Sequence, residues 1–385
     1  MAWTICILLL ATVGFAFAGY PLVMAVLARF APRSLNLEGP MPAGLSVVLC
    51  VKNGEATIQR RLENLLTAVW QGELEVWVYA DGCTDQTVAR AREMGDSRVQ
   101  VIEATSARGK AAGLNATIPK CRHEVVVLCD VRQRFEPEAL TRLASVFRDP
   151  EVAAVSGLLQ IEPSAAGSGQ GVDLYWQLER KLRQWEGRFD SVIGCTGAIC
   201  AIRRDAYEPL PEDTILDDVV IPMCMAMKGG RIYYEETAVA WDPQRLEAGN
   251  EAARKRRTLV GNYQMLARYP RWLLPGVSRL WWQLLCHKYL RLLVPWCLLG
   301  VLGVSALAVE VPGMKLLLGL QLVSYAAAAV GLMRPEIRWK MLTIPAGFLL
   351  LQWTCLLALL AYVRHRHDLR CLWHSDPTPS SDSAA

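Results

Sequence analysis

Four short polar clusters in the first half of the chain carry residue types able to do chemistry: Lys52-Asn53-Gly54-Glu55, Asp81-Gly82-Cys83-Thr84-Asp85, Arg108-Gly109-Lys110 and Asp130-Val131-Arg132. A carboxylate accepts hydrogen bonds from hydroxyls and ring N–H groups or ligates a cation, a lysine answers phosphate charge, and glycine lets backbone approach a ligand. Brought together, such groups can hold a sugar-bearing nucleotide and its diphosphate. Each also has a structural alternative. "DGCTD" (81–85) is a good turn in which Thr84 or Asp85 caps the next helix. Asp130, ending the apolar run "VVVLC", is either a metal ligand or the polar cap of a buried strand. Lys110 suits a solvated helix start. Further on, Asp217-Asp218 opens a helical pattern, where the helix dipole favours acids whatever their function.

Every cluster in the first half follows a β-rich run. "LSVVLCV" (45–51) precedes a helix over Glu55 to Trp70, "LEVWVYAD" (74–81) one near 84–94, and "VQVIEA" (99–104) one near 110–118, before "EVVVLCD" (124–130). Strands alternating with helices imply an α/β fold with a mostly parallel sheet and helices on both faces. Ligands of such sheets bind beyond the carboxyl ends of the strands, which is where the clusters fall. Downstream, "GCTGAICAIRRDAY" (194–207) sets small residues before another strand, either to admit a sugar or to make a tight turn.

The chain has 385 residues, 52% of them hydrophobic, and a mean hydropathy of +0.20, which is high for a soluble protein. The excess is uneven. Residues 3–28 carry no charge and are long enough to cross a hydrocarbon core of about 30 Å, and apolar runs return at 292–309, 314–333 and 341–363. A cleaved signal peptide is the rival reading of the first run, but no basic region precedes it and apolar sequence continues past "AFA" (16–18). The organisation expected is an N-terminal transmembrane anchor at 1–30, a catalytic domain at 38–270, an interfacial amphipathic segment at 271–291, transmembrane helices at 292–363 and a polar tail at 364–385. Arg29 and Arg33 after the first span place the domain in the cytosol of an integral membrane protein. Four spans would then leave "RHRHDLR" (364–370) outside, against the same rule. Twelve cysteines include no C-x2-C pair, which favours reduced buried thiols over zinc or disulfides. A net charge of +4 leaves no footprint for nucleic acid.

The blocks "VVLCVKNGEATIQRRLENLL", "YADGCTDQTVARA", "ARGKAAGLNATI" and "VVVLCDVRQRFEPEAL", in this order, resemble the inverting family-2 glycosyltransferases, which use a GT-A nucleotide-sugar-binding fold. The resemblance covers about 45–262. It implies that Glu55 and Asp81 contact the base and ribose of the donor, and that Lys110 approaches its diphosphate. Asp130 corresponds to the first acid of the family's metal-binding D-x-D, implying a divalent cation, Mg or Mn. Arg132 stands at the second acid and cannot ligate; one carboxylate with water and phosphate can still hold Mg²⁺, or the arginine itself answers the phosphate charge. The family places its catalytic base at the second acid of an acidic pair, here Asp218. Its Q-x-x-R-W block reads Arg254-x-x-Arg257-Thr258 here, so that Arg257 matches the arginine while Thr258 replaces the tryptophan linked to processive extension. The implied function is sugar transfer from a nucleotide-sugar donor, a UDP-sugar favoured, to a lipid or lipid-linked acceptor at the cytosolic membrane face. A processive polysaccharide synthase is the alternative, and a silent nucleotide-sugar-binding scaffold a further one.

Overall fold

The computed structural model describes residues 1–162, 170–243, 248–334, 337 and 339–369; the end of the polar tail, 370–385, lies outside these. Among the described residues eight strands form one mixed sheet: β1 Gly44–Val51, β2 Glu73–Asp81, β3 Val99–Ala104, β4 Val125–Cys129, β5 Arg134–Phe135, β6 Val152–Ile161, β7 Ile199–Arg203 and β8 Arg231–Asp242. Their order is β3-β2-β1-β4-β7-β6-β8-β5. The first four run parallel, which requires crossover helices and buries both faces. The β1 run "LSVVLCV" meets that demand. Val47 and Leu49 enter a core with Ile58, Leu62 and Leu140, whereas Val48 faces the opposite core with Leu114 and Val219. Each such side chain, fully buried, contributes about 1.5–3 kcal/mol.

The helices of the domain are α3 Ile58–Leu66, α4 Thr87–Glu93, α5 Lys110–Thr117, α6 Ala139–Val146, α7 Gln170–Phe189, α8 Asp217–Met227 and α9 Ala248–Arg268, preceded in the chain by α1 Ala2–Gly14 and α2 Tyr20–Phe30. The expected helix over Glu55 to Trp70 is shorter at both ends, because residues 53–57 turn to bond the neighbouring loop and Trp70 donates its indole N–H to the Glu73 carbonyl. The parallel register sets Val51 level with Ala80, and the next residue, Asp81, level with Ala104 at the end of β3. Antiparallel β7 then starts beside the end of β4, with Ile199 opposite Cys129, so the 194–198 loop lands next to Asp130.

Among the described residues four helices are long and apolar enough to cross a membrane: Ala2–Phe30, Trp281–Leu307, Met314–Met333 and Lys340–His365. The first joins α1 to α2 through a π turn at Phe15–Gly19; the second joins α10 Trp281–Leu284 to α11 Leu290–Leu307 through another at Leu285–Tyr289; the rest are α12 and α13. One helix therefore runs through what hydropathy divides into an interfacial segment at 271–291 and a span from 292. Two of its polar residues have protein partners: His287 bonds Glu186 at 2.8 Å and Glu179 at 2.7 Å, and Arg291 donates to Glu179 at 3.0 Å. Tyr20 on the first span donates its hydroxyl to the same Glu186. Both π turns thus flank one buried polar cluster, consistent with the tendency of such turns to mark functional or strained positions.

Candidate active site

The loop after β1 and the loop after β2 are stitched together by side chains. Asn53, in left-handed conformation at φ 50°, accepts the Thr84 N–H at 2.9 Å. The Gly54 N–H donates to the Thr87 hydroxyl at 2.8 Å, and the Glu55 N–H to Asp85 at 3.1 Å. Asp85 also accepts the Thr87 N–H at 3.1 Å, which is the structural role the turn reading assigned to it. Glu55 itself is half-exposed at the rim, paired with Arg90 at 3.0 Å.

Asp81 ends β2 and is 7% exposed. Its two oxygens accept the N–H groups of Arg108, at 2.7 Å, and Gly109, at 2.9 Å. The carboxylate therefore fastens the loop whose next residue, Lys110, begins α5. Gly109 has φ 93°, a conformation that a side chain would strain. A Cβ on Gly82, at φ 59°, would lie 2.3 Å from the Ala107 nitrogen.

Lys110 is the hub. Its ammonium donates to Asp130 Oδ1 at 2.9 Å and to the Gly197 carbonyl at 3.4 Å, and it pairs with Asp217 Oδ2 at 3.4 Å. Burial works against this charge, yet Asp130 and Asp217 outweigh it and hold the ammonium well above its ordinary pKa. Strand order explains the meeting: β4 delivers Asp130, the loop before β7 delivers Gly197, and α8 delivers Asp217 and Asp218.

Asp218 is half-buried on the first turn of α8, and its main-chain carbonyl accepts the Cys195 N–H at 2.7 Å. A Cβ on Gly197 would stand 3.4 Å from its Oδ2, so a residue without a side chain keeps the carboxylate approachable. Burial and the neighbouring Asp217 raise its pKa to about 6, opposed by Lys110, Lys288 and Arg183. A carboxylate tuned toward neutrality can take a proton at physiological pH.

Arg132 lies apart from Lys110. It pairs at 2.5 Å with Asp242, which also accepts from Gln133 at 3.1 Å. The pairing follows from register, since Arg134 of β5 sits opposite Trp241 of β8. Arg257 is half-buried on α9. That helix is tied further along to the segment leading into Asp217: Gln264 accepts the Ile215 N–H at 3.0 Å, and Arg268 pairs with Asp213 at 2.7 Å. Asp217, Asp242 and Gly197 were not singled out for these contacts by sequence reasoning. The acidic pair at 217–218 and the small-residue run at 194–207 left a visible signal for Asp217 and Gly197, whereas Asp242 left none.

Among the described residues no group of three His, Cys, Asp or Glu side chains converges on a metal position. Asp130, 42% exposed at its side chain, offers one carboxylate. A one-carboxylate site still suits Mg²⁺, which keeps waters and takes phosphate oxygens.

Comparison with known proteins agrees with this architecture. The Glycosyl transferase family 2 matches residues 46–210. An N-acetylglucosaminyltransferase of Rhizobium meliloti is 28% identical over 180 residues, covering 44% of this chain and 41% of the relative. A poly-beta-1,6-N-acetyl-D-glucosamine synthase of Staphylococcus aureus is 23% identical over 205 residues, covering 51% of this chain and 49% of the relative. The matches thus span less than half the length of either curated relative. A solved mannosyltransferase from Pyrobaculum calidifontis, in complex with GDP-Man and Mn²⁺, superposes with a TM-score of 0.71 over 92% of this chain and 99% of its own, at 21% identity, and shows a shared fold. The segment that matches the Glycosyl transferase family 2, residues 46–210, contains the four strand-end clusters, and the fold that carries it is a mixed sheet of GT-A architecture.

Proposed function

We propose that the protein is a membrane-bound inverting glycosyltransferase that moves a sugar from a nucleotide-sugar donor to a lipid or lipid-linked acceptor at the cytosolic membrane face. The observation that carries this reading is the convergence of Lys110, Asp130, Asp217 and Asp218 at the strand ends, with the apolar helices packed below. In the transfer, the acceptor oxygen bonds to the anomeric carbon from the face opposite the nucleotide. The bond from that carbon to the diphosphate breaks, the electron pair leaves with the diphosphate, and the acceptor proton passes to Asp218. Lys110 supplies fixed positive charge beside the departing phosphates. Asp81 and Glu55 border the nucleotide side, and Arg257 on α9 is assigned to the leaving group. Asp130 would hold a divalent cation together with donor phosphate oxygens, and that ion would neutralise the diphosphate.

A UDP-sugar is the favoured donor, and N-acetylglucosamine, in the names of both curated relatives, heads the list of sugars to try. The decisive experiment offers UDP-, GDP- and dTDP-sugars to detergent-purified protein with total lipid extract and follows nucleotide release. Sugar incorporated into lipid supports the reading; no release with any donor and acceptor sinks it. The synthase in the name of the Staphylococcus aureus relative favours a second reading, a processive polysaccharide synthase. Product length separates the two, since polymer rather than a single added sugar would establish the second.

A further inference from the structure

Asp217 and Asp218 are delivered by a short segment, 213–216, that belongs to neither helix nor strand. Thr214 and Leu216 in it are buried, so its peptide groups have to find partners outside regular structure. Thr214 donates its N–H to the Pro211 carbonyl at 3.0 Å, and the Leu216 carbonyl opens α8 by accepting from Val219 at 3.1 Å and Val220 at 2.9 Å. The groups between them are answered by one side chain of α9. Gln264, itself 5% exposed, accepts the Ile215 N–H through Oε1 at 3.0 Å and donates through Nε2 to the Asp213 carbonyl at 2.8 Å and to the Asp213 carboxylate at 3.3 Å. One amide thus pairs with the peptide groups on either side of Thr214, as a neighbouring strand would. The rest of that helix face supports it, since Gly261, Gln264 and Arg268 recur at i, i+3 and i+7. A Cβ on Gly261 would lie 2.5 Å from Leu216 Cγ, so the missing side chain lets α9 rest directly on the segment, and Arg268 pairs with the Asp213 carboxylate at 2.7 Å. In turn α9 is held by α13, where the Tyr263 hydroxyl donates to the Cys355 carbonyl at 3.4 Å and its ring stacks on Tyr362.

We infer that Gln264 is a positioning residue for the transfer: through the 213–216 main chain it sets where α8 begins, and with it how Asp218 meets the acceptor and how Asp217 meets Lys110. The inference rests on the glycosyltransferase reading and adds to it a residue that acts through the acids rather than on the substrate. Reacting groups tolerate little displacement, and a shift of about 1 Å costs on the order of 10² in rate. A cleft of about 180 Å³, bordered by Asp213, Gln264, Arg268 and Tyr362, opens beside the amide. Water from it can take over the freed peptide groups when the amide is removed, so an apolar side chain of similar length loosens the segment more than it harms the fold.

The test compares the full detergent-purified chain with Gln264→Met by hydrogen–deuterium exchange and by acceptor-dependent turnover. Gln264→Met should speed exchange over 213–220 about tenfold, the loss of one or two net hydrogen bonds, while exchange over β1 stays as it was. It should lower kcat about tenfold to a hundredfold with donor KM close to that of the wild type. Gln264→Glu, equal in size, keeps the acceptor for Ile215 but sets a carboxylate against Asp213, and it is expected to change exchange and kcat in the same direction; it carries the test if Gln264→Met does not fold. Unchanged exchange over 213–220, or unchanged kcat per folded molecule, would overturn the inference, as would a loss confined to donor KM. Exchange is read without substrate, so the two readings fail separately: faster exchange in the variants, with no nucleotide released from any donor by the wild type, keeps the clamp on 213–216 and loses the transferase reading.

Discussion

At the residue scale the proposed chemistry depends on how Asp218 is tuned. The proposed general base must be unprotonated, and burial next to Asp217 raises its pKa to about 6. Acceptor-dependent kcat/KM should therefore rise with pH through a midpoint near that value and level off above it. Asp218→Asn should lower kcat by about 10²–10⁴ and abolish the acidic limb, while the donor still binds. A variant with full activity and an unchanged profile would move the base elsewhere. Asp130 carries the metal question. EDTA should stop turnover and Mg²⁺ or Mn²⁺ restore it; turnover indifferent to chelation would leave Lys110 as the charge facing the diphosphate. Arg132 has less claim to that task than its position two residues after Asp130 suggested, because its guanidinium is turned to Asp242.

At the element scale, backbone groups held by side chains aim the site. Asp81 accepts two consecutive N–H groups, and hydrogen bonds to a charged acceptor contribute about 1.5–3 kcal/mol each. Asp81→Asn keeps one acceptor oxygen and sets an amide donor against an N–H. It should lower thermal stability and raise donor KM more than it changes kcat, since the loop it releases positions Lys110. Equal donor KM in the variant would show that the loop holds its place by other means. The Arg132–Asp242 pair pins the loop after β4 to the end of β8. A double-mutant cycle with Arg132→Ala and Asp242→Asn should give a coupling of about 1 kcal/mol or more, because the acid is almost wholly buried. Purely additive losses would mean that the contact contributes no specific stability.

At the scale of the whole molecule, helix contacts bear on the conflict between span count and charge. Trp3 donates to the Pro312 carbonyl, and Cys6 packs with Val301 and Met314, so the start of α1 and the α11–α12 turn share one end of the bundle. The domain occupies the other end, where Tyr20 meets Glu186 and Tyr289 and Leu292 join the main core. The far end of α13 lies there too: Tyr362 stacks on Tyr263 of α9 at 6.4 Å, and Leu369 is buried in the same core. The helices α12 and α13 therefore make one net crossing between them, which keeps the basic residues after 363 on the domain's side as the charge rule demands. A reporter fused to the C-terminus should show the same sidedness as one inserted in the catalytic domain. Opposite sidedness would require α13 to leave the domain in the bilayer.

Periodicity and strand-end chemistry were legible in the sequence because they are local. Apolar runs of strand length mark β1 to β4, Gly109 before Lys110 marks a helix start, and uncharged stretches of span length mark the membrane helices. The order of the blocks was enough to reach the family and the GT-A fold. Contacts set by register between distant strands were not legible. Nothing near Arg132 in the chain announces Asp242, whose nearness comes from β5 pairing with β8. Likewise the Lys110 partners come from three separate elements, and His287 and Arg291, which lie more than 100 residues from Glu179 and Glu186 in the chain, meet them only because their helix docks on α7. The sequence by itself determined which residues can do chemistry and which segments suit water or lipid, since composition and period are properties of neighbours along the chain. Only the tertiary structure decided which charges face one another, because electrostatic energy depends on distances that sheet order and helix docking set.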